Sequence, residues 1–399
     1  MAKNTQDLKT IIIGMSGRMD SAVAAYLLKK QGHKCIGVGI SFIDPNKEEF
    51  KHFGACQVTD LTKVQKVCEG LGLPFYAVNA QDQFKDYILD AVIAARLAGE
   101  YFDFCAACHA LKIRILCEKA ILLKADKVAT GHYAKINFNS KIGEYQLLSA
   151  LDTHDDQSYH LSRIDHQNYA KLLLPLGDMR RQEVERIALG LNLGLDPLPI
   201  REACFPRGDQ LIRLIHQLAP TSLFRKGQII NLEDKSVFSD HPGIHCFVMG
   251  QMEIVSDIEI PIDPEFRIVH MDYTSGNIYL SRSPTPYYFN FCQLIDFRCP
   301  PHIDISRPVH ACLQLGPKEA RIEGTLYFKN NNTVMVSFLK PISRILFKGQ
   351  IFAVYKSMAA NAPILGSGLM RNFGIEAPLD RLKAVREKEK PKTLEEQTE

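Results

Sequence analysis

The chain has 399 residues, of which 46% are hydrophobic and 23% charged, with a formal net charge of +3 and 11 cysteines. That length supports two or three domains around a sizeable core, and the composition excludes a disordered, fibrous or collagen-like chain. The charge balance neither demands nor forbids a nucleic-acid partner. No apolar run reaches the roughly 18 residues of a membrane span, and the opening Met-Ala-Lys-Asn-Thr-Gln-Asp has no signal-peptide core, so a cytoplasmic protein with no membrane partner is expected.

In chain order, Ile11, Ile12 and Ile13 read as a doubly buried strand, followed by a small-residue turn and a helix with Val23, Leu27 and Leu28 on its apolar face. Residues 35–40 predict a second buried strand, and Leu61, Val64, Val67, Cys68 and Leu71 mark a helix. Residues 75–78 predict a third strand, and Phe84, Tyr87, Ile88, Ala91, Val92 and Ala95 line another helix. Residues 127–130 predict a fourth strand, running into Gly131-His-Tyr-Ala134. Strands alternating with helices imply an α/β fold whose parallel sheet binds ligands at the carboxyl ends of its strands, so the loops after Ile13 and Thr130 should face one crevice. From about 160 to 195 the pattern predicts helix, with Val184, Ile187, Ala188 and Leu191 on one face, until Leu195-Asp-Pro-Leu-Pro199 breaks it. A compact region of short elements follows. Alternation at Val309, Ala311 and Leu313, and at Val334, Val336 and Phe338, then predicts an antiparallel barrel or sandwich. The last residues mix charges of both signs and read as a solvated tail. The expected division is 1–206, 207–285, 286–375 and the tail 376–399.

The first turn has the makings of an anion site. Gly14, Ser16, Gly17 and Ser21 can offer backbone N–H groups and hydroxyls at a helix N-terminus, where the dipole favours phosphate. Gly-Lys-Ser/Thr is missing, so this is no Walker loop. The stretch resembles instead the PP-loop Ser-Gly-Gly-x-Asp-Ser of ATP pyrophosphatases, which cleave ATP between the α and β phosphates to form an adenylate. The second glycine of that motif is Arg18 here; its Cβ crowds a phosphate, or its guanidinium contacts one. Asp20 is open to two readings, a cap on the first helix or a carboxylate serving the Mg²⁺ of ATP.

Without an export signal the cysteines are expected as thiols, with Cys35, Cys68 and Cys117 in the core. Cys105-Ala-Ala-Cys108, next to His109, is compatible with half a zinc site, but no second ligand pair at conventional spacing follows and no resident metal is read. Cys204 precedes Pro206, Arg207 and Gly208, a loop signature, where a thiol is either ordinary or functional. His132 is equally a structural histidine or a site residue.

Seven stretches in one order, the PP-loop, Cys105-Ala-Ala-Cys108, Thr130-Gly-His-Tyr-Ala134, Asp156-Gln-Ser-Tyr159, Pro175-Leu-Gly-Asp178, Ala203-Cys-Phe205 and Lys348-Gly-Gln350, resemble the tRNA-specific 2-thiouridylase family over roughly residues 8–373. The resemblance implies a PP-loop sheet, a small central domain and a C-terminal β-barrel. It implies that ATP adenylates the C2 oxygen of a wobble uridine and that a cysteine persulfide delivers sulfur there. Cys204 then matches the persulfide carrier and Cys108 the partner thiol that closes a disulfide, its thiolate favoured by a helix N-terminus or by cations such as Lys112. The implied ATP site is Gly14, Met15, Ser16, Gly17, Arg18, Asp20, Ser21, Ile40 and Gly131, with Mg²⁺. The implied tRNA contacts are Asp103, Phe104, Cys105, His132, Asp156, Gln157, Arg344 and Gln350, and a persulfide donor or relay protein is the implied partner.

The chain departs from the family pattern mainly on the RNA side. Asp103-Phe stands where the family has Asn-Pro, His109 where it has Asn, and Asp155 where Lys commonly precedes Asp-Gln-Ser. Gly250-Gln-Met-Glu-Ile254 replaces Gly-Gln-Arg-Lys-Gly, and Gln314-Leu315 replaces an Arg-Tyr pair. Loss of cations weakens phosphate contacts. Two main readings therefore stand: a sulfurtransferase using both cysteines, or a relative with weak or no thiolation that binds RNA or a sulfur-relay protein. An adenylating ligase or amidase is a third.

Overall fold

Apolar runs bounded by small residues form the strands of a parallel sheet, and the 3.6-residue patterns between them form its helices. The computed structural model describes residues 8–44, 46–50, 53, 61–195, 205–251, 265–283, 288–330 and 332–374. Cys204, the tail 376–399 and Met252-Glu-Ile254 of the altered segment lie outside the described residues.

β1 (Thr10–Gly14) carries Ile11, Ile12 and Ile13 with no exposed surface, and α1 (Met19–Lys30) follows with Val23 and Leu28 buried. β2 (Lys34–Ser41), α2 (Leu61–Gly70) and β3 (Phe75–Asn79) come next. A helical stretch then runs through α3 (Gln81–Phe84), a π turn at Lys85–Leu89 and α4 (Asp90–Leu97). The long α5 (Phe104–Leu122) leads into β4 (Lys127–Ala129). Cys35, Cys68 and Cys117 are buried in this domain, as expected of core thiols.

Beyond β4 the structure corrects the sequence reading. A hairpin of β5 (Lys135–Asn139) and β6 (Glu144–Leu148) intervenes, with Phe138 and Tyr145 paired across it at 5.1 Å. Within 160–195 only the end of α6 (Ser158–Leu161), a 3-10 turn at His166–Lys171 and α7 (Arg181–Gly190) are helical. Leu172 and Leu173 instead form β7, paired in parallel with Val128 and Ala129. A short leucine run fits strand or helix equally; here the edge of β4 supplies unpaired backbone groups, and Pro175 stops a helix from passing through.

The sheet order is β3-β2-β1-β4-β7, all parallel. The chain moves outward from β1 to β3 and then crosses back to β4, so the crevice opens above the carboxyl ends of β1 and β4, where such folds bind ligands.

Next come α8 (Asp209–Leu218), β8 (Gly227–Asn231), β9 (Val237–His241), β10 (Arg267–Met271) and β11 (Ile278–Ser281). These strands make a sheet, β10-β11-β8-β9, over a core that includes Ile229, Ile244, Phe247 and Leu280. The last unit is a closed barrel of β12 (Tyr288–Arg298), β13 (Val309–Gln314), β14 (Ile322–Asn330), β15 (Thr333–Ser343), β16 (Ile351–Tyr355) and β17 (Ile364–Gly374). Its order is β12-β15-β14-β13-β16-β17. Phe289, Leu294, Leu313, Val334, Val336 and Phe352 fill its interior, so the expected alternation resolves into a barrel rather than a sandwich.

Candidate active site

Gly17 stands at φ +70°, which favours glycine, and turns the chain from β1 into α1. Arg18, the N-cap, has extended backbone at φ −113° and ψ 169° and makes no side-chain capping bond. The first N–H groups of α1 therefore keep no side-chain cap of their own, the arrangement that receives an anion. Within the loop, the Ser16 N–H donates to Ser21 Oγ at 3.1 Å, the Ser16 and Ser21 hydroxyls lie 3.0 Å apart, and Ser21 Oγ reaches Arg18 O. The segment after β4 packs directly on this helix start. A Cβ at Gly131 would lie 2.6 Å from the Asp20 carbonyl carbon and 2.7 Å from Ser21 N.

Between the two loops lies a cavity of about 160 Å³. Gly14, Met15, Ser16, Arg18, Asp20, Ser21, Ile40 and Gly131 line it, and Val38, Leu116, Lys112, Thr130, His109, His132 and Gln157 complete the wall. Gly17 is buried beneath the loop rather than in the lining. Apolar Val38, Ile40 and Leu116 face polar loop atoms across one space, a combination suited to a base and a phosphate chain. Asp20 accepts from the Tyr133 hydroxyl at 3.0 Å. Burial raises the Asp20 pKa, against the opposing pull of Tyr133 and Arg181.

α5 forms one wall of this crevice. Asp103 caps it, accepting from Ala106 N at 2.9 Å, and is itself buried. Cys105, partly exposed, and Cys108, buried, occupy its first two turns, while His109, Lys112 and Leu116 reach the cavity wall. His109 Nδ1 lies 2.8 Å from His132 Nε2, and His132 Nδ1 lies 2.7 Å from Thr130 Oγ1. Desolvation pushes the His132 pKa down to about 3, and burial with the neighbouring His132, Lys112 and His160 holds His109 well below the ordinary range. Both rings are therefore neutral near pH 7. Phe205, which follows Cys204 in sequence, packs on Phe104 at a centroid distance of 4.3 Å, with Phe53 edge-on at 5.1 Å.

The structure gives several of the expected tRNA contacts internal partners. Asp156 accepts from Ala150 N, Ser158 N and Ser158 Oγ, and Gln157 Oε1 accepts from Tyr133 N at 2.9 Å. Gln350 is buried, its Oε1 accepting from Phe347 N and its amide nitrogen donating to Leu315 O. Arg344 pairs with Glu319. Gln314 and Leu315 are likewise buried, Leu315 in the barrel core. Only His132 and Gln157 of that set line the cavity.

Sequence reasoning passed over Val38, Leu116 and His160. Leu116 lies eight positions after Cys108 on one helix, a spacing that returns to the same face. His160 directly follows the Asp-Gln-Ser-Tyr motif, and its ring lies 5.9 Å from His109. Among the described residues no cysteines are joined to one another, and no helix is long and apolar enough to cross a membrane.

A family described as the tRNA methyl transferase HUP domain matches residues 9–205. The chain is similar to the tRNA-specific 2-thiouridylase MnmA of Geotalea uraniireducens, with 34% identity over 257 residues, 63% of this chain and 68% of that protein. Its similarity to the enzyme of the same name from Clostridium perfringens is 30% over 385 residues, 92% of this chain and 99% of that protein. With an arrangement of loop, crevice and cysteine helix such as this, and a relative matched over nearly its whole length, the chain belongs to the tRNA-specific 2-thiouridylase family.

Proposed function

We propose that the chain is an ATP-dependent tRNA-uridine 2-sulfurtransferase. The observation that carries the reading is the meeting of three elements at one crevice: the β1–α1 loop, the segment after β4, and α5, whose His109, Lys112 and Leu116 line the cavity just after the Cys105–Cys108 pair in sequence. ATP fits the donors present, with the N-terminus of α1 and the Ser16 and Ser21 hydroxyls toward the phosphates and Val38, Ile40 and Leu116 toward the base. Asp20 is the one carboxylate in the lining and is the residue that would hold Mg²⁺, provided it ionises against the burial that raises its pKa.

A carbonyl oxygen is a poor leaving group, and the chemistry answers that in two stages. The uridine C2 oxygen bonds the α-phosphorus as pyrophosphate departs. The terminal sulfur of a Cys204 persulfide then bonds C2, and AMP leaves with the original oxygen. Attack of the Cys108 thiolate on Cys204 Sγ breaks the sulfur–sulfur bond toward the thiouridine and leaves a Cys108–Cys204 disulfide for a dithiol to reduce. The stacking of Phe205 on Phe104 supports this pairing, because it fixes the chain beside residue 204 next to the first turn of α5. Of the tRNA contacts that the resemblance implies, His132 and Gln157 line the cavity, with His132 bonded to Thr130 and His109 and Gln157 Oε1 accepting from Tyr133 N. No observation favours a binding-only relative.

The test is incubation of the purified chain with ATP, Mg²⁺, a persulfide donor and unmodified tRNA, followed by mass spectrometry of the nucleosides. Thiolated uridine is expected. Cys108→Ser should retain tRNA-dependent pyrophosphate release while thiolated product falls at least about a hundredfold. Folded protein that neither thiolates tRNA nor binds ATP by calorimetry would overturn the proposal.

A further inference from the structure

Away from the crevice, one side-chain cluster has ligand geometry that sulfur transfer does not use. His216 lies on the exposed side of α8, while His245 and Cys246 sit in the 3-10 turn Ile244–Cys246 after β9. One imidazole nitrogen from each histidine and Cys246 Sγ all lie within 4.8 Å of one another. His216 Nε2 is 2.9 Å from His245 Nε2, and Cys246 Sγ is 3.5 Å from the same His245 nitrogen. A single proton bridges two such atoms, not three.

A tetrahedral zinc ion with Zn–N near 2.05 Å and Zn–S near 2.3 Å separates its ligand nitrogens by about 3.4 Å and nitrogen from sulfur by about 3.6 Å. The His245–Cys246 separation already matches. Opening the His216–His245 pair from 2.9 Å to that spacing takes about half an ångström, and Cys246 Sγ lies within 4.8 Å of both nitrogens. His245 is held in place. His245 is fully buried, its carbonyl accepts from Arg96 Nη2 at 2.7 Å, and Phe224 packs across both rings at 4.3 and 4.9 Å. Among the described residues His245 Nδ1 has no hydrogen-bond partner, and the ring meets the cluster through Nε2. Two imidazoles and a thiolate select a borderline-soft ion over magnesium or calcium.

We propose that His216, His245 and Cys246 bind one Zn²⁺, with water as the fourth ligand and the Cys246 proton released to solvent on binding. The ion clips α8 to the turn that packs on the central sheet. The site is independent of the thiolation reading and does not take part in its chemistry.

The experiment strips the full-length chain with a chelator and titrates it with Co²⁺, then with Zn²⁺. One equivalent of Co²⁺ is expected, with a thiolate-to-cobalt charge-transfer band that Zn²⁺ abolishes by displacement. His216→Ala, an exposed change that leaves the fold intact by circular dichroism, should weaken binding at least about a hundredfold, and Cys246→Ser should remove the band. Zinc should raise the melting temperature of the parent and not of His216→Ala. A folded parent without the band, or a band that survives in both variants and so belongs to another cysteine site, would overturn the assignment.

Discussion

Arg18 shows how a departure from a motif is absorbed at a single residue. The left-handed turn falls on Gly17, at φ +70°, whereas Arg18 has extended backbone that any residue adopts. The loop thus keeps its shape with one glycine, and Arg18 is part of the cavity lining. We expect Arg18→Ala to weaken ATP binding by about ten- to a hundredfold, the value of one charge-assisted hydrogen bond, measured by calorimetry. Unchanged affinity would show that the side chain turns away from the phosphates. The two crevice histidines make a second prediction. Both have folded-state pKa values depressed by burial, His132 to about 3, so in acid the unfolded chain binds protons that the folded chain refuses. Stability should be level above about pH 7 and fall as pH drops from about 6.5, with His132→Gln giving a shallower fall in denaturant titrations. Asp20 and Asp156, whose pKa values burial raises, act in the opposite sense, so the comparison between variants isolates the histidines. His109 was legible as a departure from the family pattern, but its bond to His132 was not, because the two residues belong to different elements.

At the scale of elements, the site depends on how closely the segment after β4 lies on the start of α1. An added methyl at Gly131 would meet the backbone of Asp20 and Ser21, and neither backbone can yield without opening the phosphate loop. Gly131→Ala should therefore cost about 1–3 kcal/mol of stability by thermal melts and at least tenfold in ATP affinity. Equal affinity with lowered stability would separate the packing from the site. Elements with clear apolar patterns were legible in the sequence: β1, α1, β2, α2, β3 and β4 needed only local periodicity. β7 and the β5–β6 hairpin were not. Two leucines make a strand only because β4 offers an unpaired edge, and the apolar residues of the hairpin alternate over too few positions to outweigh a helical neighbour.

Across the whole molecule, the Asp156-Gln-Ser-Tyr159 stretch and its helix join the catalytic domain to the barrel. The Tyr159 hydroxyl donates to Ile351 O at 3.0 Å, Ser158 Oγ lies 2.9 Å from the Tyr355 hydroxyl, and Arg163 donates to Asp296 O, Ser367 O and the Asp296 carboxylate. Arg163 is almost enclosed while Asp296 is 43% exposed. The energy of this joint therefore lies more in the two carbonyls that Arg163 satisfies than in the charge pair, which solvent screens. Arg163→Ala should cost about 2–3 kcal/mol and, in differential scanning calorimetry, split one unfolding transition into two. A single transition at an unchanged midpoint would show that the barrel is held by apolar contact alone.

Local periodicity and short motifs were enough to establish the first four strands of the parallel sheet, an antiparallel barrel or sandwich at the C-terminal end and the loop at the head of β1, because each is specified by residues close together in the chain. Tertiary structure decided what the motif side chains do. Asp156, Gln157 and Gln350 read in sequence as residues facing RNA, yet each spends hydrogen bonds on the protein's own backbone. The same holds for the His109–His132 bond and for the meeting of His216 with His245 and Cys246. A polar side chain takes its role from what the fold sets opposite it, and that partner is distant in sequence.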